Sequence, residues 1–137
     1  MPRTFHVKRR VEFADTDMAG IMHFSRFFVM LEEAEHEFLR SLGLSVIMKH
    51  EGRPIGWPRV AASFDFVSPV RFEEEIDIHL KLSRIGTKSL TYSGEFYRKG
   101  ELLAKGKLTT CCCLVGDGTM KGLELPADLR RKLEEGA

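Results

Sequence analysis

The sequence holds one long amphipathic segment, and nearly everything else reads as strand. In SRFFVMLEEAEHEFLRSLG and the phenylalanine before it, Phe24, Phe27, Phe28, Leu31, Ala34, Phe38 and Leu42 recur at steps of three and four. That spacing makes one broad apolar face on a helix of roughly 25 Å. Ser25 is the expected N-cap and Gly43 the expected stop. Thr4 to Phe13 alternates with period two except at Arg9. EIDIHLKLS sends Ile76, Ile78, Leu80 and Leu82 one way and Asp77, His79, Lys81 and Ser83 the other. Val60 to Ser68, SLTYSGEFYR and LLAKGKLTTCCCLV supply further strands, with a hairpin turn at RKGE. LSVIMKHEGRPIGWP reads as a short helical turn and a loop, and GDG as the end of the last strand. PADLRRKLEEG reads as a short closing helix with Pro126 near its start.

A sheet with one polar face must cover the other, and the only sizeable cover is the phenylalanine-rich helix. The expected architecture is α+β: a five-stranded antiparallel sheet curved around one long central helix, in a single domain spanning residues 1–137. One helix hardly covers five strands, so pairing of sheet edges between two subunits is expected to complete the burial.

Charge and cysteine usage narrow the partners. Lys and Arg number 21 and Asp and Glu 20, a net charge of +1 that gives no support for a general nucleic-acid binder. No apolar run has the length of a bilayer span, and MPRTFHVKRRVEF lacks the apolar core of a signal peptide, so the expected location is cytoplasmic. Cys111, Cys112 and Cys113 are adjacent, which suits neither a disulfide framework nor a zinc site; they are expected to be reduced thiols in a strand.

Chemistry is expected in EFADTDMAGIMHF, where Asp15 and Asp17 flank Thr16 just before the helix. A lone D-x-D commonly caps a turn. The loop adds only His23 as a further metal ligand, so neither metal nor cofactor is called for. Gly20 permits a tight turn and a close approach of backbone to ligand. The first turn of the helix presents unpaired N–H groups, a ready site for a developing oxyanion. A carboxylate and an oxyanion site are the two parts that acyl transfer needs.

The run EFADTDMAGIMHFSRFFVMLEEAEHEFLRSLG resembles the signature of the hotdog-fold acyl-CoA thioesterases of the 4-hydroxybenzoyl-CoA thioesterase class. That class includes Tol-Pal-associated thioesterases and 1,4-dihydroxy-2-naphthoyl-CoA hydrolases. VSPVRFEEEIDI is similar to a later segment of the same family. The resemblance implies a hotdog fold and an acyl-CoA substrate, and the uncovered sheet leads to the expectation of a homodimer or homotetramer. It implies that Asp17 is the catalytic carboxylate, acting as nucleophile or as general base. It also implies that the backbone N–H of Phe24 holds the thioester carbonyl, with Gly20 in the turn beneath. Most Tol-Pal-associated members carry histidine and tyrosine where this chain has Phe24 and Phe13, and His23 stands one residue early; phenylalanine at the place of Phe24 occurs in the naphthoyl-CoA branch.

Accessory candidates are weaker. His23 either orients water or substrate or sits at the helix start. Of the glutamates in EEAEHE, three are expected on a solvated face, and Glu32, beside Leu31, is expected to be partly buried and is a minor alternative carboxylate. Arg84 and Lys88, in the small turn SRIGTKSL, and Arg59 are candidates for coenzyme A phosphates. Trp57 either lines an acyl pocket or covers the helix end. Three other readings compete: a thioesterase acting on acyl-carrier protein, a non-catalytic acyl-CoA-binding subunit, and a dehydratase with His23 as base.

Overall fold

The computed structural model describes residues 3–137; the first two residues lie outside it. The chain forms β1 (Phe5–Arg10), a 3-10 turn (Phe13–Asp15) and α1 (Phe24–Ser41). Next come β2 (Met48–His50), β3 (Arg53–Gly56), β4 (Arg59–Phe66) and β5 (Glu75–Ile85). The chain then makes β6 (Ser89–Arg98), β7 (Glu101–Cys111), β8 (Cys113–Gly116), β9 (Thr119–Gly122) and α2 (Ala127–Gly136). The large sheet is antiparallel with order β1-β5-β6-β7-β4, the five strands expected.

Helix α1 crosses the inner face of this sheet. Phe38 meets Phe5 of edge strand β1 and Tyr92 of β6, Phe27 meets Phe96 of β6, and Phe28 meets Phe64 of edge strand β4. Contact with both edges means that the sheet curves around the helix. Gly94 lets β6 close onto it, because a Cβ there would drive into the side chain of Leu31. The buried face runs through Phe27, Met30, Leu31, Ala34, Phe38 and Leu39; Phe24, expected on it, is exposed, and Phe28 and Leu42 are half-buried. Arg9, the break in the β1 pattern, points toward the helix and pairs with Glu33.

Several expectations are corrected. The first strand ends at Arg10, and Phe13 sits in the 3-10 turn. The helix N-cap is His23, whose ring accepts from the Ser25 N–H, and not Ser25. The segment read as helical turn and loop contains the β2–β3 hairpin, and GDG is the β8–β9 turn and not an ending. These strands form a second sheet, order β2-β3-β8-β9. In each two-residue turn both central residues have positive φ: Glu51 and Gly52, Lys99 and Gly100, Asp117 and Gly118. Those are the angles a type I′ hairpin needs, with glycine second. The last long strand breaks at Cys112, so β7 belongs to the large sheet and β8 to the small one. Cys112 and Cys113 are buried, and burial pushes both thiols up, Cys112 to about 11, with neighbouring cysteines adding to it. Among the described residues no helix is long and apolar enough to cross a membrane.

Candidate active site

The loop between the 3-10 turn and α1 is a miniature hairpin. Thr16 pairs with Met22 as an isolated bridge. The Gly20 N–H donates to the Asp17 carbonyl at 2.9 Å, and the Asp17 N–H donates to the Ile21 carbonyl at 3.0 Å. Gly20 closes the turn with φ of 80°, a left-handed conformation that glycine adopts without penalty. The Ala19 N–H donates to Oδ1 of Asp17 at 2.9 Å. That bond orients the carboxylate while Oδ2 makes no hydrogen bond among the described residues. Asp17 is exposed.

The two aspartates have separate tasks. Asp15 is 1% exposed and accepts from the Glu12 N–H at 2.8 Å and from Nε of Arg26 at 2.7 Å. Its carbonyl accepts from the His23 N–H at 2.9 Å. Asp15 is therefore the turn-capping member and Asp17 the one free for chemistry.

At the helix start, Nδ1 of His23 lies 2.8 Å from Oγ of Ser25 and accepts from the Ser25 N–H. That places the proton of a neutral ring on Nε2. The Arg26 N–H bonds the His23 carbonyl at 3.0 Å. The Phe24 N–H has no partner among the described residues, so the first residue of α1 keeps an unspent donor next to the Asp17 loop. Large apolar side chains on the same loop and helix start are exposed. Phe13 is 77% exposed, Met18 fully and Phe24 60%, and Phe13 stacks edge-on against Phe72. Such a patch calls for a cover.

Other candidates are placed elsewhere. Glu32 is half-exposed and the buried member of its segment is Glu35, at 2%. Arg59 donates to Glu32 at 3.0 Å and grips Glu35 through two further bonds, so its guanidinium is engaged within the fold. Arg84 and Lys88 are exposed at the far end of β5 from the Asp17 loop. The loop end is marked by Arg10 opposite Glu75, and eleven strand residues span roughly 35 Å. Trp57 is half-buried against the core. A groove of about 610 Å³ lies on the outer sheet face among Ser63, His79, Lys81 and Lys107 and holds none of the candidate residues.

Asp15 was named from sequence only as half of the D-x-D pair, with its role as the capping member undecided, and Arg26 and Glu35 were not singled out. A signal existed for Glu35, which lies four residues after Leu31 and three before Phe38 on the apolar stripe. None existed for Arg26, whose partner is a loop residue eleven positions earlier.

A long helix held by a curved antiparallel sheet, with a carboxylate loop at the helix start, is the arrangement of the hotdog thioesterases. Residues 11–133 match the thioesterase-like superfamily model, and the chain belongs to that family; it is a thioester hydrolase. A 1,4-dihydroxy-2-naphthoyl-CoA hydrolase of Parasynechococcus marenigrum (strain WH8102) is 32% identical over 73% of this chain and 70% of its own. The structure of a 1,4-dihydroxy-2-naphthoyl-CoA thioesterase from Synechocystis is similar with a TM-score of 0.84, 26% identity and 97% of each chain covered. A mutant 4-hydroxybenzoyl-CoA thioesterase complexed with 4-hydroxybenzoyl-CoA shares the fold at a TM-score of 0.84 and 21% identity, over 96% of this chain and 99% of that one.

Proposed function

We propose that the protein hydrolyses acyl-CoA thioesters with Asp17 as its carboxylate and the Phe24 N–H as its oxyanion donor. The observation that carries this is an oriented carboxylate with a free oxygen in the tight turn, followed in the chain by an unspent N–H at the helix start. The naphthoyl-CoA relatives support coenzyme A as the carrier.

Two routes use these groups. As general base, Asp17 takes a proton from water, and the oxygen attacks the thioester carbonyl. The negative oxygen is held by the Phe24 N–H, and collapse expels the thiolate of coenzyme A, which takes up the proton. As nucleophile, Asp17 attacks first, expels the thiolate and leaves a mixed anhydride that water opens. The bond from Ala19 to Oδ1 leaves Oδ2 for either task. His23 caps the helix through Nδ1, which leaves Nε2 of the neutral ring as a donor in this reading.

A homodimer fits the remaining surface. Strand β4 is an edge, and Val60, Phe66 and Val67 on and beside it are about half exposed. Antiparallel pairing of two β4 strands would satisfy both edges and bring a second subunit over the apolar patch. Arg84 and Lys88, across the sheet from the loop, serve no substrate bound at Asp17 of their own subunit in this reading. Release of free thiol from short-chain, long-chain and aromatic acyl-CoAs tests the activity; a folded protein that turns over none of them contradicts it.

A further inference from the structure

We propose that Asp15 and Arg26 are positioning residues that set the catalytic carboxylate against the oxyanion donor; the inference rests on the reading of Asp17 and Phe24 given above. Asp15 touches all three segments that must stay in register. Its Oδ2 holds the Glu12 N–H at the end of the first strand's extension. Its carbonyl holds the His23 N–H, one residue before Phe24. Its Oδ1 holds Nε of Arg26, inside the first turn of α1. The hairpin carrying Asp17 is closed on its other side by the bridge from Thr16 to Met22, whose N–H donates to the Val70 carbonyl at 2.7 Å. The hairpin from Thr16 to Met22 thus has one charged pair at its neck, beside its own backbone bonds.

The chemistry of that pair is demanding. A carboxylate at 1% exposure needs a cation, and Arg26 supplies it while its own side chain stays one-third exposed. Nε reaches Asp15 from a fixed edge of a planar group, which a lysine ammonium does not reproduce. An asparagine at position 15 would accept one of the two donors and turn an N–H₂ toward the other. Either change should move the hairpin relative to the helix start, and misplacement by about 1 Å costs about 10²-fold in rate.

The tests are Arg26→Lys and Asp15→Asn, chosen because Arg26→Met would strand a buried charge and risk unfolding. The expected result for each is kcat lower by about 10- to 100-fold with KM changed by less than about threefold, as for an interaction made in the transition state. In an Asp17→Asn background Arg26→Lys should cost nothing more, since the group it aims is gone. Amide exchange at Asp17 and His23 should accelerate by about tenfold while β5, β6 and β7 keep their protection. A merely structural role would lower thermal stability in both backgrounds and leave kcat at 25 °C alone, which would overturn the proposal. Normal kcat and unchanged loop exchange in Arg26→Lys, with the parent active and Asp17→Asn dead, would overturn the positioning role and leave the site standing. If the parent turns over no thioester, the site reading fails, and the exchange experiment alone decides: selective loosening of the loop supports the clamp and unchanged exchange refutes it.

Discussion

Arg59, the first residue of edge strand β4, grips the buried carboxylate of Glu35 in the middle of α1 and reaches Glu32 one turn earlier. The pair ties the edge of the sheet to the helix it curves around. Glu35 is 2% exposed, while the Arg59 side chain keeps about a quarter of its surface in solvent. Arg59→Met should therefore destabilise the protein strongly, by about 3 kcal/mol, because it leaves a buried charge unpaired. Glu35→Gln combined with Arg59→Met should recover most of that loss. Urea unfolding of the single and double variants reads both numbers, and a single variant within about 0.5 kcal/mol of the parent would show that the pair is dispensable.

Gly20 is predicted to matter more for rate than for stability. A Cβ there meets nothing within 4 Å, so Gly20→Ala is not a clash. Its cost is the left-handed backbone at φ 80°, about 1 kcal/mol. Relief of that strain would open the turn that seats Asp17. Chemical denaturation should show the small loss, and steady-state kinetics a larger fall in kcat than that loss implies.

How much of this was legible beforehand varies by element. The helix was written in its phenylalanine spacing, and β5 in its alternation, because both bury one face against one partner. The small sheet was not, because its hairpins turn on Glu51-Gly52 and Asp117-Gly118 between strands of only three or four residues. Strands that short carry almost no periodicity. At the site, Asp17 and Gly20 stood out through local spacing and family resemblance. The division of labour between Asp15 and Asp17 did not, since it depends on which carboxylate Arg26 meets in space.

Alkaline pH should unfold the protein earlier than neutral pH. Burial raises the Cys112 thiol from 9.0 to about 11, and burial with the Glu35 charge raises the Tyr92 phenol. A group whose folded pKa is raised holds its proton more tightly when folded, so its contribution is complete below the unfolded value and is lost as pH climbs to the folded one. Stability should fall between about pH 9 and 11. Melting temperatures across that range check the sign; a rise above pH 9 would contradict it. A thiol reagent at pH 8 should modify Cys111, which is half-buried, well before Cys112 and Cys113.

The β4 edge should carry self-association. Ala62, exposed on that strand, opposes Leu108 of β7 on its paired side. A Val60→Lys, Ala62→Lys variant places charge along the free edge, a device that blocks strand pairing. Sedimentation should show the parent as a dimer or a larger assembly of dimers and the variant shifted to monomer. A monomeric parent would remove the dimer from the account.

The most direct measurement is the turnover of an acyl-CoA by Asp17→Asn beside the parent, with circular dichroism on both. The substitution is isosteric and lies on an exposed loop, so the fold and its stability should be unchanged within about 0.5 kcal/mol. Loss of the carboxylate should lower kcat by about 10²- to 10⁴-fold. Turnover within a few-fold of the parent, in a folded variant, would contradict Asp17 as the catalytic group.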